Sequence, residues 1–197
     1  MKCAPAIFVA AAAALSAPTT AYCTPLTVVN VNAPKINCVF DASCKIVVND
    51  SSGSLQFTQF VGGFLQSRTF PVGKAGTPGA GKIAYLYRLD LTQANKFADC
   101  VVGLVINFGP ITKLNYLPNT PADVFVVTQG GLGSDAIASA EQDGDVITFT
   151  FSTPLCGGQT SYFFGLASAK APQPATATLF GFGAQGVYET DARTPQH

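Results

Sequence analysis

Asp145-Val146-Ile147-Thr148-Phe149-Thr150-Phe151-Ser152 is the stretch whose pattern decides the fold. It puts Ile147, Phe149 and Phe151 on one side of an extended chain and Thr148, Thr150 and Ser152 on the other. That is the two-residue period of a half-buried strand. Asp143-Gly144 comes immediately before it, a pair suited to a tight hairpin because glycine turns into the left-handed region without a Cβ clash.

The pattern spreads in both directions. Residues 101–108, Val-Val-Gly-Leu-Val-Ile-Asn-Phe, form a continuous apolar run that fits a central strand covered on both faces, and residues 123–128 resemble it. Further strands are expected at 27–31, 36–40, 44–49, 55–60, 64–70, 83–91, 161–167, 175–180 and 185–190. Turn-forming clusters separate them: Asp50-Ser51-Ser52-Gly53, Gly73 to Gly81, Pro118 to Pro121, Gly130 to Gly133 and Pro172 to Pro174. Only 92–99 and 134–141 hold enough helical spacing for a turn or two. The fold class that follows is all-β, a single antiparallel β-sandwich (jelly-roll or immunoglobulin-like) of about 9–11 strands with little helix.

The first residues bear on compartment. Met1-Lys2 is a short basic start, Cys3 to Leu15 is small and apolar, and Thr19-Thr20-Ala21 is a cleavage site before Tyr22. This is the layout of a secretory signal peptide, and its apolar core is too short for a permanent anchor. Tyr22 is not the small residue that a lipoprotein sets before its modified cysteine, so Cys23 is not read as lipidated. The domain reading is a signal peptide at 1–21, a flexible N-terminal arm at 22–35, the sandwich at 36–193 and a C-terminal tail at 194–197. The mature product is expected to be secreted or extracellular, at the cell surface or in a periplasm, with no integral membrane segment.

Composition agrees. Eleven basic and eleven acidic residues make up only 11% of the chain, and they are scattered without a basic stripe. Nothing there attracts nucleic acid or an anionic membrane. The expected partner is an extracellular protein or a polysaccharide. Export of residues 1–21 removes Cys3 and leaves Cys23, Cys38, Cys44, Cys100 and Cys156, an odd number. The preferred pairs are Cys38–Cys44 across a short hairpin and Cys100–Cys156 between two strand ends, with loop-closure stabilisation of about 2 and 4 kcal/mol. Cys23 is then free in the arm or bonded between molecules.

Apparent chemical motifs are weighed against plainer readings. Gly76-Thr77-Pro78-Gly79-Ala80-Gly81-Lys82 approaches a phosphate-binding loop, but Ile83 stands where Ser or Thr should hold magnesium, and a strand follows instead of a helix. Gly181-Phe182-Gly183-Ala184-Gln185-Gly186 has dinucleotide-fingerprint spacing without room for the helix and acidic residue behind it. Gly62-Gly63 and Gly157-Gly158 read as turns. The one histidine, His197, sits at a terminus expected to fray, so histidine-based nucleophilic or metal chemistry has no partner set. No cofactor is expected. Calcium has weak candidates in Glu141, Asp143 and Asp145, for which a solvated turn is the favoured account. No pair of acids marks a glycosidase: Asp90 is expected to form a surface pair with Arg88, and Asp123, Asp135 and Glu141 have no recognisable partner. Tyr85 and Tyr87 share a strand face and, with Tyr116, are the candidate glycan platform, although Tyr85, Tyr87, Leu89 and Leu91 also make one apolar core face. Asn49-Asp50-Ser51 is an N-glycosylation sequon, meaningful in a eukaryotic host.

The segments Gly63-Phe64-Leu65, Pro78-Gly79-Ala80-Gly81, Tyr87-Arg88-Leu89-Asp90-Leu91, Asp123 to Val127, Ile147 to Phe151 and Phe163-Phe164-Gly165-Leu166-Ala167-Ser168 follow a familiar order. Over roughly residues 55–195 the chain resembles a loose group of uncharacterised bacterial exported β-sandwich domains, some of which carry a C-terminal Pro-Glu-Pro sorting anchor. The anchor pattern is absent from Pro195-Gln196-His197. The resemblance implies a fold and a location, and it brings no catalytic residues. The functional expectation is a non-catalytic secreted or cell-surface module with a structural or interaction role; a carbohydrate-binding module and a carboxylate-based glycoside hydrolase are the alternatives.

Overall fold

The computed structural model describes residues 23–55, 62–95, 100–181 and 187–197. In chain order these form β1 (Thr24–Pro25), β2 (Val28–Asn32), helix α1 (Ala33–Phe40), β3 (Asn49–Ser54), β4 (Phe64–Thr69), β5 (Ile83–Asp90), β6 (Val101–Asn107) and β7 (Leu114–Leu117). They continue with β8 (Thr120–Ala122), β9 (Val124–Gln129), β10 (Ile137–Asp143), β11 (Val146–Leu155), β12 (Phe164–Ser168), β13 (Pro172–Gly181) and β14 (Val187–Pro195). One six-stranded sheet runs β1-β10-β11-β6-β13-β14 and the second β2-β9-β12-β5-β4-β3, with β7-β8 as a separate hairpin. The all-β sandwich is therefore observed. It holds more strands than expected, because short pieces at the N-terminus and the small hairpin pair as well. β2 lies parallel to β9, so the second sheet is not wholly antiparallel.

The deciding stretch behaves as read. Within β11, Ile147, Phe149 and Phe151 are buried and Thr148 and Thr150 half-buried. Asp143 pairs with Val146, which leaves Gly144-Asp145 as the hairpin loop, with Gly144 at φ 57°. Between the sheets, Tyr85, Tyr87, Leu89 and Leu91 meet Leu104, Ile106, Phe149 and Phe164 in the main core. Phe149 and Phe164 sit 4.9 Å apart, centroid to centroid. Each such large side chain removed from water stabilises the fold by roughly 1.5–3 kcal/mol.

β5 is buried along its whole length, which an alternating strand on a two-layer sandwich would not be. The reason is a third layer. On the outer face of the second sheet, Ala84, Leu86, Phe125 and Val127 are covered by Ile36, Val39 and Phe40 of α1 and by Leu114 and Tyr116 of the small hairpin. The expected strand at 36–40 is thus a helix. Pro34 in its first turn presets the helical φ, and Ile36, Val39 and Phe40 recur at the three- and four-residue spacing that gives one buried stripe. The Cys38–Cys44 bond, correctly paired, ties this helix to the turn after it and does not cross a hairpin. Cys100–Cys156 also forms as expected. Cys23 is itself disulfide-bonded, which overturns its reading as a free thiol.

The N-terminal segment belongs to the sandwich and is not a free arm. β1 lies along β10 and β2 along β9, each as the outermost strand of its sheet. The Thr27 N–H between them donates to Asp123 Oδ2 at 2.8 Å. On the opposite margin, β14 and β3 close together. A Cβ on Gly53 would lie 2.5 Å from the Asp191 carbonyl oxygen, so only glycine permits that approach. β14 also extends to Pro195, into the expected tail.

Candidate functional site

The sequence candidates go mostly into the scaffold. Tyr85 and Tyr87 have no exposure, and Tyr116 is buried at 3%. The hydroxyls of Tyr85 and Tyr87 donate to the Lys170 and Arg193 carbonyls at 2.7 and 2.6 Å, which satisfies them inside the core. Burial pushes all three phenols above their ordinary range; Tyr85 adds to the effect on Tyr87, and Asp123 to that on Tyr116. A stacking platform needs exposed ring faces, so the glycan-platform expectation is corrected. These rings are core.

The acids are similarly engaged. Arg88 and Asp90 do pair, NH1 to Oδ2 at 3.0 Å, but their side chains are only 11% and 10% exposed. The pair is therefore buried, beside Phe64, Phe163, Gln66 and Thr160, and not on the surface. Asp90 Oδ1 also accepts from the Thr92 N–H and hydroxyl. Asp123 takes Lys113 at 3.2 Å in addition to Thr27. Asp135 accepts from Ser134 and Thr153 hydroxyls, both at 2.7 Å. The calcium candidates lie on the β10–β11 hairpin, with Asp143 and Asp145 exposed at its tip. Among the described residues no group of three or more His, Cys, Asp or Glu side chains is placed to hold a metal ion, so Glu141, Asp143 and Asp145 are not brought together as ligands. His197 is exposed beyond β14, with its ring beside Gly109.

The phosphate-loop lookalike runs directly into β5, and Gly73 bridges Ala80 within it, so a loop between strands is what forms. Residues 182–186 of the dinucleotide lookalike lie outside the described residues, as do the signal segment, residues 56–60 of the expected strand and residues 96–99 of the expected helical turn. No helix among the described residues is long and apolar enough to cross a membrane.

What the structure assembles, and spacing alone did not reveal, is a groove of about 310 Å³ on the outer face of the second sheet. One wall is α1, through Ala33, Ile36 and Asn37. The facing wall is the extended segment before β3, where Ile46 and Val48 turn inward and Val47 stands 87% exposed. Phe70, Leu86, Val127 and Phe163 form the floor, and Gly131-Leu132 closes one end. The Cys38–Cys44 bond holds the two walls in register, because it joins the last turn of α1 to the start of the facing segment.

The groove has one charged lining residue. Arg68 on β4 lays its guanidinium over the Phe163 ring, 4.4 Å from the centroid, and its Nε donates to Asp50 Oδ1 at 2.6 Å. Arg88 approaches the same ring at 5.4 Å. A smaller hollow of about 220 Å³ adjoins the groove across Ile46 and is lined by Asp41, Lys45 and Lys74. Lys74 Nζ meets Asp41 Oδ2 at 2.6 Å. That contact, helped by the Ser43 N–H and hydroxyl, holds the Asp41 carboxyl down to about 2. No family model, curated protein or solved structure matches the chain, so the chemistry of the groove is the guide to its use.

Proposed function

We propose that the chain is a non-catalytic, exported β-sandwich module whose role is interaction, exerted through the groove between α1 and the Ile46–Val48 segment. The observation that carries this is the contrast between the groove and the buried acids. Asp90, Asp123 and Asp135 are engaged in holding strands and loops together, whereas the groove sets apolar side chains beside Asn37 and a single positioned cation. Concave, mostly apolar sites with one or a few oriented polar groups are where small ligands bind. Export is supported by the leader-like first 21 residues and by two disulfides of the kind that persist in oxidising compartments. Kinship with the exported bacterial sandwich domains is part of the same proposal and rests on the segments from Gly63 to Ser168.

The test has two arms. A panel of chromogenic glycosides and esters is expected to give no turnover that depends on Asp90, Asp123 or Asp135. Turnover abolished by the amide variant of any of them would falsify the non-catalytic reading. In the second arm, a fragment library is screened by ligand-observed NMR against the wild type and a Val48→Trp variant that fills the groove. Hits are expected to vanish in the variant; hits that persist unchanged place the interaction elsewhere.

A further inference from the structure

We infer that the groove takes an amphiphilic carboxylate, an apolar body ending in one anionic head, with Arg68 as the group that recognises the head. This rests on the groove being the interaction site and adds the chemistry of its occupant. The argument begins with the walls. Ile36, Ile46, Val48, Leu86 and Val127 offer apolar surface beside the polar Asn37 and Arg68, so the part of the ligand that meets them gains by being apolar.

A wholly apolar occupant would fail at Arg68. Covering a guanidinium with hydrocarbon removes its water and returns no hydrogen bond. The bond to Asp50 uses Nε alone, which leaves the two terminal amino groups of the fork, four N–H donors, unspent by that contact. Stacking on Phe163 fixes the plane of the fork, so a carboxylate arriving from the groove meets donors already oriented. Asp50 does not pre-empt the position, because its side chain is 42% exposed and that of Arg68 is 27% exposed. A pair so wetted is weak and can share its cation.

The charge of the neighbourhood has the matching sign. The groove and its adjoining hollow carry Arg68, Lys45 and Lys74 against Asp50 and Asp41, and Lys45 makes no ion pair among the described residues. That modest positive excess suits a monoanion. A phosphate monoester, with nearly two charges, would need a second cation beside Arg68 inside the groove itself, and Arg88 is committed to Asp90. The volume, at the small end for ligand pockets, suits one short chain or ring.

The experiment uses the full chain with its disulfides intact and isothermal titration calorimetry against octanoate, octanol, octyl phosphate and octyltrimethylammonium at one ionic strength. Octanoate is expected to bind saturably at one site, tenfold or more tighter than octanol, with the ammonium compound showing no binding. Arg68→Gln should weaken octanoate at least tenfold and leave octanol unchanged, while Asp50→Asn should hold or tighten octanoate by releasing Nε. On the wild type, octanoate should shift the NMR methyl signals of Ile36, Ile46 and Leu132, a readout that stands even if Arg68→Gln does not fold. Octanol binding as tightly as octanoate overturns the carboxylate inference while the groove reading survives. Octyl phosphate binding tenfold tighter than octanoate does the same. No binding by any probe, or shifts confined to other methyl groups, overturns both.

Discussion

Asp90→Ala is the most revealing single change, because strand patterning places this residue on the surface whereas the fold buries it. Removing its carboxylate leaves the Arg88 guanidinium with 11% exposure and no counter-ion. Gln66 Oε1 at 3.2 Å and Thr160 Oγ1 at 3.3 Å remain as neutral acceptors. The Thr92 N–H and hydroxyl lose their acceptor as well. Breaking a buried pair from one side costs about 3–5 kcal/mol, whereas an exposed pair is worth about 0.2–1. The residual water access and the two neutral acceptors put the expectation at about 3 kcal/mol, a large part of the 5–15 or so that hold a domain together. Removing both charges in Arg88→Met/Asp90→Ala should cost clearly less than Asp90→Ala alone, since no orphaned cation is left. The assay is urea unfolding of wild type, both single variants and the double variant, with the m-value checked for constancy. A single-variant loss below about 1 kcal/mol, or a double variant as unstable as the sum of the singles, would refute the burial argument.

Other expectations are simpler to state. Tyr87→Phe deletes the hydrogen bond to the Arg193 carbonyl and should cost about 1 kcal/mol by chemical denaturation while the fold persists. Converting Cys38 and Cys44 together to alanine should cost about 2 kcal/mol; because the bond spans the two groove walls, it should also raise hydrogen exchange in α1 more than in β5 or β12. Asp41 has a folded pKa below its unfolded value, so its contribution is present above about pH 4 and fades as pH falls toward 2. Thermal melts across that window should lose part of their slope in Asp41→Asn. Phe163→Ala removes part of the groove floor and the surface under Arg68, and should destabilise by about 3 kcal/mol and abolish fragment binding.

The parts of the fold that were legible are those where one periodicity acts alone. β11 alternates cleanly, and the Asp143-Gly144 turn adds its own signal. Elsewhere a second constraint disguised the pattern. Residues 134–141 showed helical spacing because β10 shifts register between Ile137 and Ser139, so that Ile137 and Ala140 both face inward three positions apart. Asp50-Ser51-Ser52-Gly53 has turn chemistry, yet it forms β3, held by the Asp50–Arg68 cross-strand pair and by the close approach at Gly53. The groove was hidden for a related reason. It needs 36–40 to be helical, and the signal was there in Pro34 and the Ile36, Val39, Phe40 spacing, but a short apolar run reads equally as strand. Arg88 and Asp90 form an interior pair for a similar reason: Phe64, Phe163 and Thr160 pack beside them, and a strand's outer face is exposed only when nothing packs on it.

The uneven treatment of the two sheet margins has a practical consequence. Where Gly53 meets Asp191, the layers are stitched together and offer no ledge to a stranger. At the other margin the guards are two N-terminal pieces, five residues on β9 and two on β10. Shortening the chain to begin beyond Val28 would strip one guard, fray the other and bare longer, more apolar ladders. A truncation meant to tidy this protein for crystallisation is therefore expected to make it polymerise.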